Sequence, residues 1–294
     1  VSPANSSTIA LTIEKLGTGD RVNLNLSPAE VTINPVLTSD IIEQGTNKTG
    51  YLVFNTFTSD LVVAQLQAAF QNFNTAGVNE LIVDLRYNGG GSIENAQRLA
   101  YMIAGEDNTK NKTFSRTQWN DRHPNFDPIS SELLVDEIFI ATEPDNLTPL
   151  ASLDLNRVTV LTSSGTCSAS ELIMNALNGI DIEVVQIGDT TCGKPYGFYP
   201  IPNCEFVYFP VQFQAVNAKD FGDYADGFSA ANGGATANTL LPGCTASDDL
   251  TRALGNTEET LLATALYYQA QNQCPKPSVA TNKVTNKTKG QTHN

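Results

Sequence analysis

Apolar and polar side chains alternate near the start of the chain, at residues 8–14 and 22–33, on either side of the turn KLGTGD. A period of two is typical of strands that bury one face, so the two stretches predict a β-hairpin with half-buried strands. Pro35 then closes this unit, because proline cannot donate to a strand ladder.

After residue 50 the pattern changes to short apolar runs that alternate with stretches of helical spacing. Apolar strands separated by helices are typical of a mostly parallel sheet that is covered on both faces, so the pattern predicts an α/β core. The predicted elements are a strand at 51–57, a helix at 61–70, a strand at 80–86, a helix around 99–103 that ends near Gly105, a strand at 157–163, a helix at 168–177 and a strand at 183–189.

The remaining segments carry weaker patterns. Residues 106–130 show little periodicity and predict a long loop, a kind of segment that is often functional. Residues 206–216 alternate in part and predict an antiparallel strand, while 247–254 and 257–271 predict two helices. The tail 275–294 has four lysines, no acidic residue and very few apolar ones, so we expect it to add nothing to a core.

The composition excludes several classes of function. The chain has 294 residues, 40% of them hydrophobic, and its 31 acidic and 17 basic residues give a net charge of −14. This charge repels phosphate backbones, so nucleic-acid binding is not expected. No apolar run approaches the ~18–20 residues of a membrane span, and the start VSPANSSTIA lacks the regions of a signal peptide, which predicts a mature or trimmed chain.

The five cysteines form no close-spaced pair of the kind that binds zinc, so no metal site is expected. Four of them form two local pairs, Cys192 with Cys204 and Cys244 with Cys274, while Cys167 has no obvious partner. Disulfides would indicate an oxidising compartment, which six Asn-x-Ser/Thr motifs also fit. Reduced, buried cysteines are the alternative, and the sequence leaves both open.

Three glycine-bearing junctions follow apolar strands: NGGGS after 80–86, SSGTCSASE after 157–163 and GDTTCGK after 183–189. In parallel sheets ligands bind beyond the carboxyl ends of the strands, so the three loops are expected to meet at one site. They supply backbone amides, a hydroxyl and an amine. A phosphate-binding loop does not fit, because Lys194 is followed by Pro195.

Ser168 has two interpretations at this stage. With Glu171 three residues later it satisfies the signature of a helix-capping box, and a serine at a helix start can also be a nucleophile. A nucleophile needs a base, yet His123 lies in the predicted long loop and His293 in the polar tail. A lysine serves instead where burial lowers its pKa, and Lys194 lies in a tight turn after a strand. Taken alone, each residue also fits an ordinary structural role.

Read together, ELIVDLRYNGGGS, SSGTCSASELIMNAL and VVQIGDTTCGKPYG resemble the three core motifs of the S41 peptidases, the C-terminal processing or tail-specific proteases. The resemblance implies a serine endopeptidase without a cofactor that acts on polypeptides. It implies that Ser168 is the nucleophile and Lys194 the general base, and that the amides of Gly90 and Ala169 form the oxyanion hole. The capping role of Ser168 is compatible with this assignment.

The resemblance covers roughly residues 50–220 and implies an α/β core like that of the crotonase and ClpP superfamily. The hairpin at the start resembles the last strands of a PDZ domain. The expected organisation is therefore a PDZ-like remnant at 1–36, a catalytic core at 37–274 and a polar tail at 275–294. The expected setting is a bacterial cell envelope or a secreted space, and the oligomeric state is left open.

The chain departs from the family pattern at Phe198, which stands where many members carry a glutamine that orients the lysine. Cys167, directly before the nucleophile, is interpreted as a small packed residue, and a Cys192–Cys204 disulfide would brace Lys194. Two alternatives stay open: an inactive peptide-binding protein of the same fold, and an esterase that uses the same Ser168–Lys194 dyad.

Overall fold

The computed structural model describes residues 7–15, 17–145 and 147–276. Its helices are α1 Val62–Ala76, α2 Ile93–Thr109, α3 Ala169–Gly179 and α4 Thr260–Gln271. Its strands are β1 Ile9–Glu14, β2 Arg21–Leu26, β3 Val36–Gln44, β4 Asn47–Phe54, β5 Glu80–Asp84, β6 Thr113–Gln118, β7 Glu137–Ile138, β8 Arg157–Thr162, β9 Glu183–Gly188, β10 Tyr196–Gly197, β11 Ile201–Asn203, β12 Phe206–Tyr208, β13 Phe213–Val216, β14 Ser229–Ala230, β15 Leu240–Leu241 and β16 Gly243–Cys244.

A six-stranded sheet forms the centre of the fold, in the order β16-β9-β8-β5-β4-β3. The β3–β4 pair is antiparallel, and the other neighbours are parallel. The prediction of an α/β fold with a mostly parallel sheet is thus confirmed. Because β5, β8 and β9 are neighbours, the loops that follow them leave the sheet side by side.

Helices cover both faces of this sheet. Side chains such as Leu52, Val83 and Val160 share one hydrophobic cluster with the buried faces of α1, α2 and α3. Alternate side chains of the same strands, such as Val53 and Ile82, join a second cluster with α4. Apolar side chains on both faces explain why these strands read as continuous apolar runs.

The first hairpin differs from its prediction. β1 and β2 pair in antiparallel register, but β2 ends at Leu26 rather than near residue 33. Apolar side chains such as Ile9, Leu11 and Leu24 are exposed, so the predicted half-burial is wrong. β3 was not predicted, because it is an edge strand that is only partly buried and carries Asp40 and Glu43.

Part of the predicted loop 106–130 forms regular secondary structure. α2 continues past a kink at Gly105, where φ is 75°, and ends at Thr109. β6 then follows within the same stretch. The predicted strand 206–216 is split into β12 and β13 around Pro210, which has no N–H to donate.

The C-terminal prediction is half right. Residues 257–271 form α4 from Thr260 onward, but 247–254 form turns instead of a helix. Most of the tail, residues 277–294, lies outside the described residues. None of the helices in the described part combines the length and apolar character needed to cross a membrane.

A second, antiparallel sheet of four strands, ordered β10-β13-β6-β7, flanks the central one. β10 begins two residues after Lys194, and it pairs with β13. The loop after β9 therefore connects the two sheets, and both contribute to the pocket described next.

Candidate active site

The loops after β5, β8 and β9 meet at the carboxyl edge of the central sheet, as their positions after parallel strands predicted. The Cys167 N–H donates to the Asn88 carbonyl at 3.1 Å, and Ser170 Oγ donates to the same oxygen at 2.9 Å. The Cys192 N–H donates to the Thr166 carbonyl at 3.0 Å. Backbone hydrogen bonds thus connect the Ser168 loop to both of its neighbours.

Gly90 packs directly against the turn that carries Ser168. A Cβ at Gly90 would lie 2.8 Å from Ser168 Cβ and 2.9 Å from the Ala169 nitrogen, and the φ of Gly90 is 102°. Both the contact and the left-handed backbone require glycine. The Gly90 N–H donates to Asn88 Oδ1 at 2.9 Å, so it would have to leave that acceptor to bind an oxyanion.

Ser168 stands at the first turn of α3 with an unusual backbone. Its φ of 57° and ψ of −114° are rare for a residue with a side chain, at a cost of about 1–3 kcal/mol that the surrounding contacts must offset. Strain of this kind concentrates at functional sites. At a helix N-terminus the macrodipole also favours a developing negative charge.

Glu171 connects the serine turn to the lysine loop. Its fully buried carboxylate accepts the N–H of Ser168 at 3.0 Å, of Gly193 at 2.7 Å and of Lys194 at 2.9 Å, and the Thr191 hydroxyl at 2.6 Å. The bond from Ser168 is the Glu171 half of the predicted capping box. The other three were missed, although a carboxylate at the start of an otherwise apolar helix is a signal that could have indicated them.

Ser168, Ala169 and Lys194 line one pocket of about 150 Å³. The rest of its wall is mostly apolar: Gly91, Ile93, Leu172, Pro195, Tyr196, Gly197, Phe198, Phe213, Ala215 and Tyr224. Three of the four predicted site residues thus share this pocket, whereas in the NGGGS loop Gly91 rather than Gly90 lines it.

The Lys194 ammonium lies 4.6 Å from the centre of the Phe198 ring, which is within cation–π range. Phe198 is the side chain that stands in place of the family's glutamine. Within the described residues, no hydrogen bond joins Ser168 Oγ to Lys194 Nζ. The two groups share a pocket without being hydrogen-bonded to each other.

Tyr224 forms part of the pocket wall next to this pair. Burial raises the pKa of its hydroxyl well above the ordinary value, and the negative charge of Glu171 raises it further. The phenol is therefore neutral over the whole physiological range. It adds an uncharged hydroxyl to the wall of the pocket that Lys194 also lines.

The disulfides differ from the predicted pairs. Cys192 is bonded to Cys167, with Cα atoms 5.2 Å apart, so the predicted Cys192–Cys204 pair is wrong, as is the interpretation of Cys167 as a simple packed residue. Cys204 is a free, exposed thiol. Cys244 is bonded to Cys274, the pair that their positions suggested. Sequence spacing missed the Cys167 pair because β8 and β9 are adjacent in space, not in sequence.

His123 does not provide the base on this geometry. His123 lies beside Trp119, with ring centres 6.5 Å apart, and it does not line the pocket, while His293 is outside the described residues. Among the described residues, one group with metal-ligand spacing is Cys167, Glu171 and Cys192. Its two sulfurs are bonded to each other, and its carboxylate already accepts four hydrogen bonds.

Arg86 anchors the start of the glycine loop and was not predicted to matter. Only 1% of its side chain is exposed, and it forms ion pairs with Asp84 at 2.8 Å, Asp248 at 2.7 Å and Glu259 at 3.0 Å. Glu259 in turn caps α4 by accepting the first N–H groups of that helix. The loop with Gly90 is thus attached to the helix on the far face of the sheet.

A family model, peptidase family S41, matches residues 48–200, which is just over half of the chain. The chain belongs to this family. The S41 family is a family of serine peptidases. The matched segment contains all three loops of the pocket. No curated protein matches the chain.

Two solved structures are similar to this fold. An S41 family protein from Bacteroides fragilis is 31% identical over 90% of this chain and 66% of its own length, with a TM-score of 0.68. A photosystem II D1 C-terminal processing protease is 20% identical over 77% of this chain and 55% of its own, with a TM-score of 0.51. The chain spans less than two thirds of either protein, and the second supports the fold alone.

Proposed function

We propose that the protein is a serine endopeptidase in which Ser168 is the nucleophile and Lys194 the general base. One observation carries the proposal: a serine with a strained backbone, at a helix N-terminus, lines the same small pocket as a lysine. Membership of the S41 family supports the proposal, because the members of this family are serine peptidases. Polypeptides are the corresponding substrates.

In the proposed reaction the side chain of Lys194 moves from the Phe198 ring toward Ser168 and, as the neutral amine, accepts the hydroxyl proton. The alkoxide attacks a peptide carbonyl, and the protonated amine then transfers that proton to the leaving nitrogen. Water activated in the same way hydrolyses the acyl-enzyme. Glu171 holds the backbones of Ser168 and Lys194 in fixed relative positions during these steps, since its carboxylate accepts the N–H groups of both residues.

The oxyanion needs two N–H donors that point into the pocket. We propose the N–H of Ala169, the residue after the nucleophile, as one of them, since Ala169 lines the pocket. For the second, the sequence indicated Gly90, but Gly91 lines the pocket and the Gly90 N–H is engaged by Asn88. We therefore propose Gly91 as the second donor and assign to Gly90 the close approach that brings the loop to Ser168.

The setting and the flanking regions follow as part of the proposal. Two disulfides pair four of the five cysteines, which favours an oxidising, extracytoplasmic compartment such as a bacterial envelope or a secreted space. We retain the likeness of the β1–β2 hairpin to a PDZ remnant and of the core to the crotonase and ClpP superfamily as proposals, together with the division at residues 36 and 274.

Hydrolysis of an unfolded protein, followed by mass spectrometry of the fragments, tests the function. We expect Ser168→Ala and Lys194→Met each to lower kcat by at least about a thousandfold, as loss of a nucleophile or its base does. Ser164→Ala, in the same turn but exposed, and Lys110→Met, in a surface ion pair, are matched controls that should keep full activity. Unchanged cleavage by Ser168→Ala would refute the assignment.

A second candidate is an inactive peptide-binding protein of this fold. It is favoured by the position of Lys194, which contacts Phe198 and is not hydrogen-bonded to Ser168. Saturable binding of an unfolded polypeptide without cleavage would support it. Hydrolysis of small esters without any cleavage of polypeptides would instead support an esterase with the same dyad.

A further inference from the structure

The Cys167–Cys192 disulfide connects the two loops that carry the proposed dyad. Cys167 is the residue directly before Ser168, and Cys192 comes two residues before Lys194. The loops follow different strands, β8 and β9, which are neighbours in the sheet. Within the described part of the chain, this disulfide is the covalent cross-link between the loop that carries Ser168 and the loop that carries Lys194.

Hydrogen bonds also connect the two loops close to these cysteines. The Glu171 carboxylate binds backbone N–H groups of both loops, and the Cys192 N–H donates to Thr166. The Ser168 backbone is strained, so the residue before it must be held for that conformation to persist. The disulfide restrains Cys167 by bonding it to Cys192, which lies in the loop that carries Lys194.

The second disulfide provides a contrast within the same molecule. Cys244–Cys274 joins the edge strand β16 to the segment after α4, in the hydrophobic cluster on the other face of the sheet. Neither of its cysteines is close in sequence to Ser168 or Lys194. Cys192, by comparison, is exposed, so a soluble reductant can reach the bond beside the site.

We propose that the Cys167–Cys192 disulfide is a positioning element for Ser168 and Lys194, so that full turnover requires the oxidised form. The inference rests on the proposed function. A dithiol reductant slows turnover: it transfers two electrons and two protons to the bond, leaves Cys167 and Cys192 as thiols and becomes a cyclic disulfide itself. The relaxed loops then place the base too far from the hydroxyl.

Kinetics in a Cys204→Ser background tests this, because that change removes the free thiol that could exchange with either disulfide. The protein is treated with dithiothreitol, and peptide mapping after thiol labelling of a parallel sample confirms reduction. The kcat and KM for an unfolded protein substrate are measured before and after, with circular dichroism to follow the fold. The same series is run on Cys167→Ala/Cys192→Ala and on the matched control Cys244→Ala/Cys274→Ala.

We expect reduction to lower kcat by about ten- to a hundredfold with KM nearly unchanged, because a displacement of about 1 Å in a reacting pair has this effect. The Cys167→Ala/Cys192→Ala variant should show the same low kcat and no response to dithiothreitol. The Cys244→Ala/Cys274→Ala variant should keep the parental kcat and remain sensitive to the reductant. Circular dichroism should change little in all three proteins.

Three results would overturn the inference. Full kcat after mapped reduction of Cys167–Cys192 would show that the bond does not position the dyad, while leaving the proposed function intact. Loss of circular dichroism in parallel with activity would show that the bond only stabilises the fold. Absence of cleavage by the oxidised parent would remove the proposed function itself, and this inference with it.

Discussion

At the scale of single residues, the site depends on how closely Gly90 approaches Ser168. The glycine lets two loops from different strands touch, and Ser168 accepts a strained backbone at that contact. The strained turn directs the serine hydroxyl to a pocket at the start of α3, where the helix dipole favours negative charge. The contact between the loops therefore helps to place Ser168 in the wall of this pocket.

We predict that Gly90→Ala lowers kcat/KM by at least about a hundredfold, because the added Cβ would displace the Ser168 turn by the overlap described above. Steady-state kinetics on an unfolded protein substrate measures the effect. Gly89→Ala is the matched control in the same loop, since a Cβ there meets nothing within 4 Å. Equal activity of the two variants would show that the close approach is not needed.

The sequence could predict which residues share the pocket where these residues stand in local motifs. The sequence pointed to Ser168 and Lys194 because each stands in a short, recognisable loop after a strand. The role of Glu171 beyond the cap was not predictable, because its partners Gly193 and Lys194 are more than 20 positions away. The Cys167 pairing was missed for the same reason: spacing along the chain does not report distance between adjacent strands.

At the scale of elements, Arg86 connects β5 to α4 through the sheet. Its guanidinium contacts Asp84 on the strand and Glu259 at the cap of the helix, and all three side chains are almost fully buried. Removal of the guanidinium leaves two buried carboxylates without a compensating positive charge, which is far more costly than loss of an exposed pair.

We predict that Arg86→Met lowers the free energy of unfolding by about 3–5 kcal/mol. Urea denaturation followed by circular dichroism measures this. Arg21→Met, which removes an ion pair on the exposed hairpin, should change it by less than about 1 kcal/mol. A loss of under about 1 kcal/mol in Arg86→Met would mean that the buried network does not hold the elements together.

Strands and helices with strong periodicity were predictable at this scale, and weakly patterned ones were not. β5, β8 and β9 are buried on both faces, so the central parts of their sequences are mainly apolar. β3 is an edge strand with acidic side chains, and the helix predicted at 247–254 is a set of turns. In such segments tertiary contacts decide the structure, and local propensity carries little information.

At the scale of the whole molecule, the chain combines a buried α/β core with a hairpin whose strands, β1 and β2, pair with each other in a sheet of their own. The apolar side chains of β1 and β2 are exposed although their pattern alternates. An alternating pattern predicts that one face of a strand is suited to burial. It does not identify the surface that covers this face. The core, by contrast, was predictable as a class because strand, helix and strand follow one another in sequence.

The central claim is that Ser168 becomes acylated during turnover. The direct measurement is to incubate the protein with a polypeptide substrate, quench in acid and locate the covalent adduct by peptide mapping and mass spectrometry. We predict an acyl group on the peptide that contains Ser168, and none in Ser168→Ala. Cleavage with no adduct on Ser168, or with an adduct on another residue, would contradict the account.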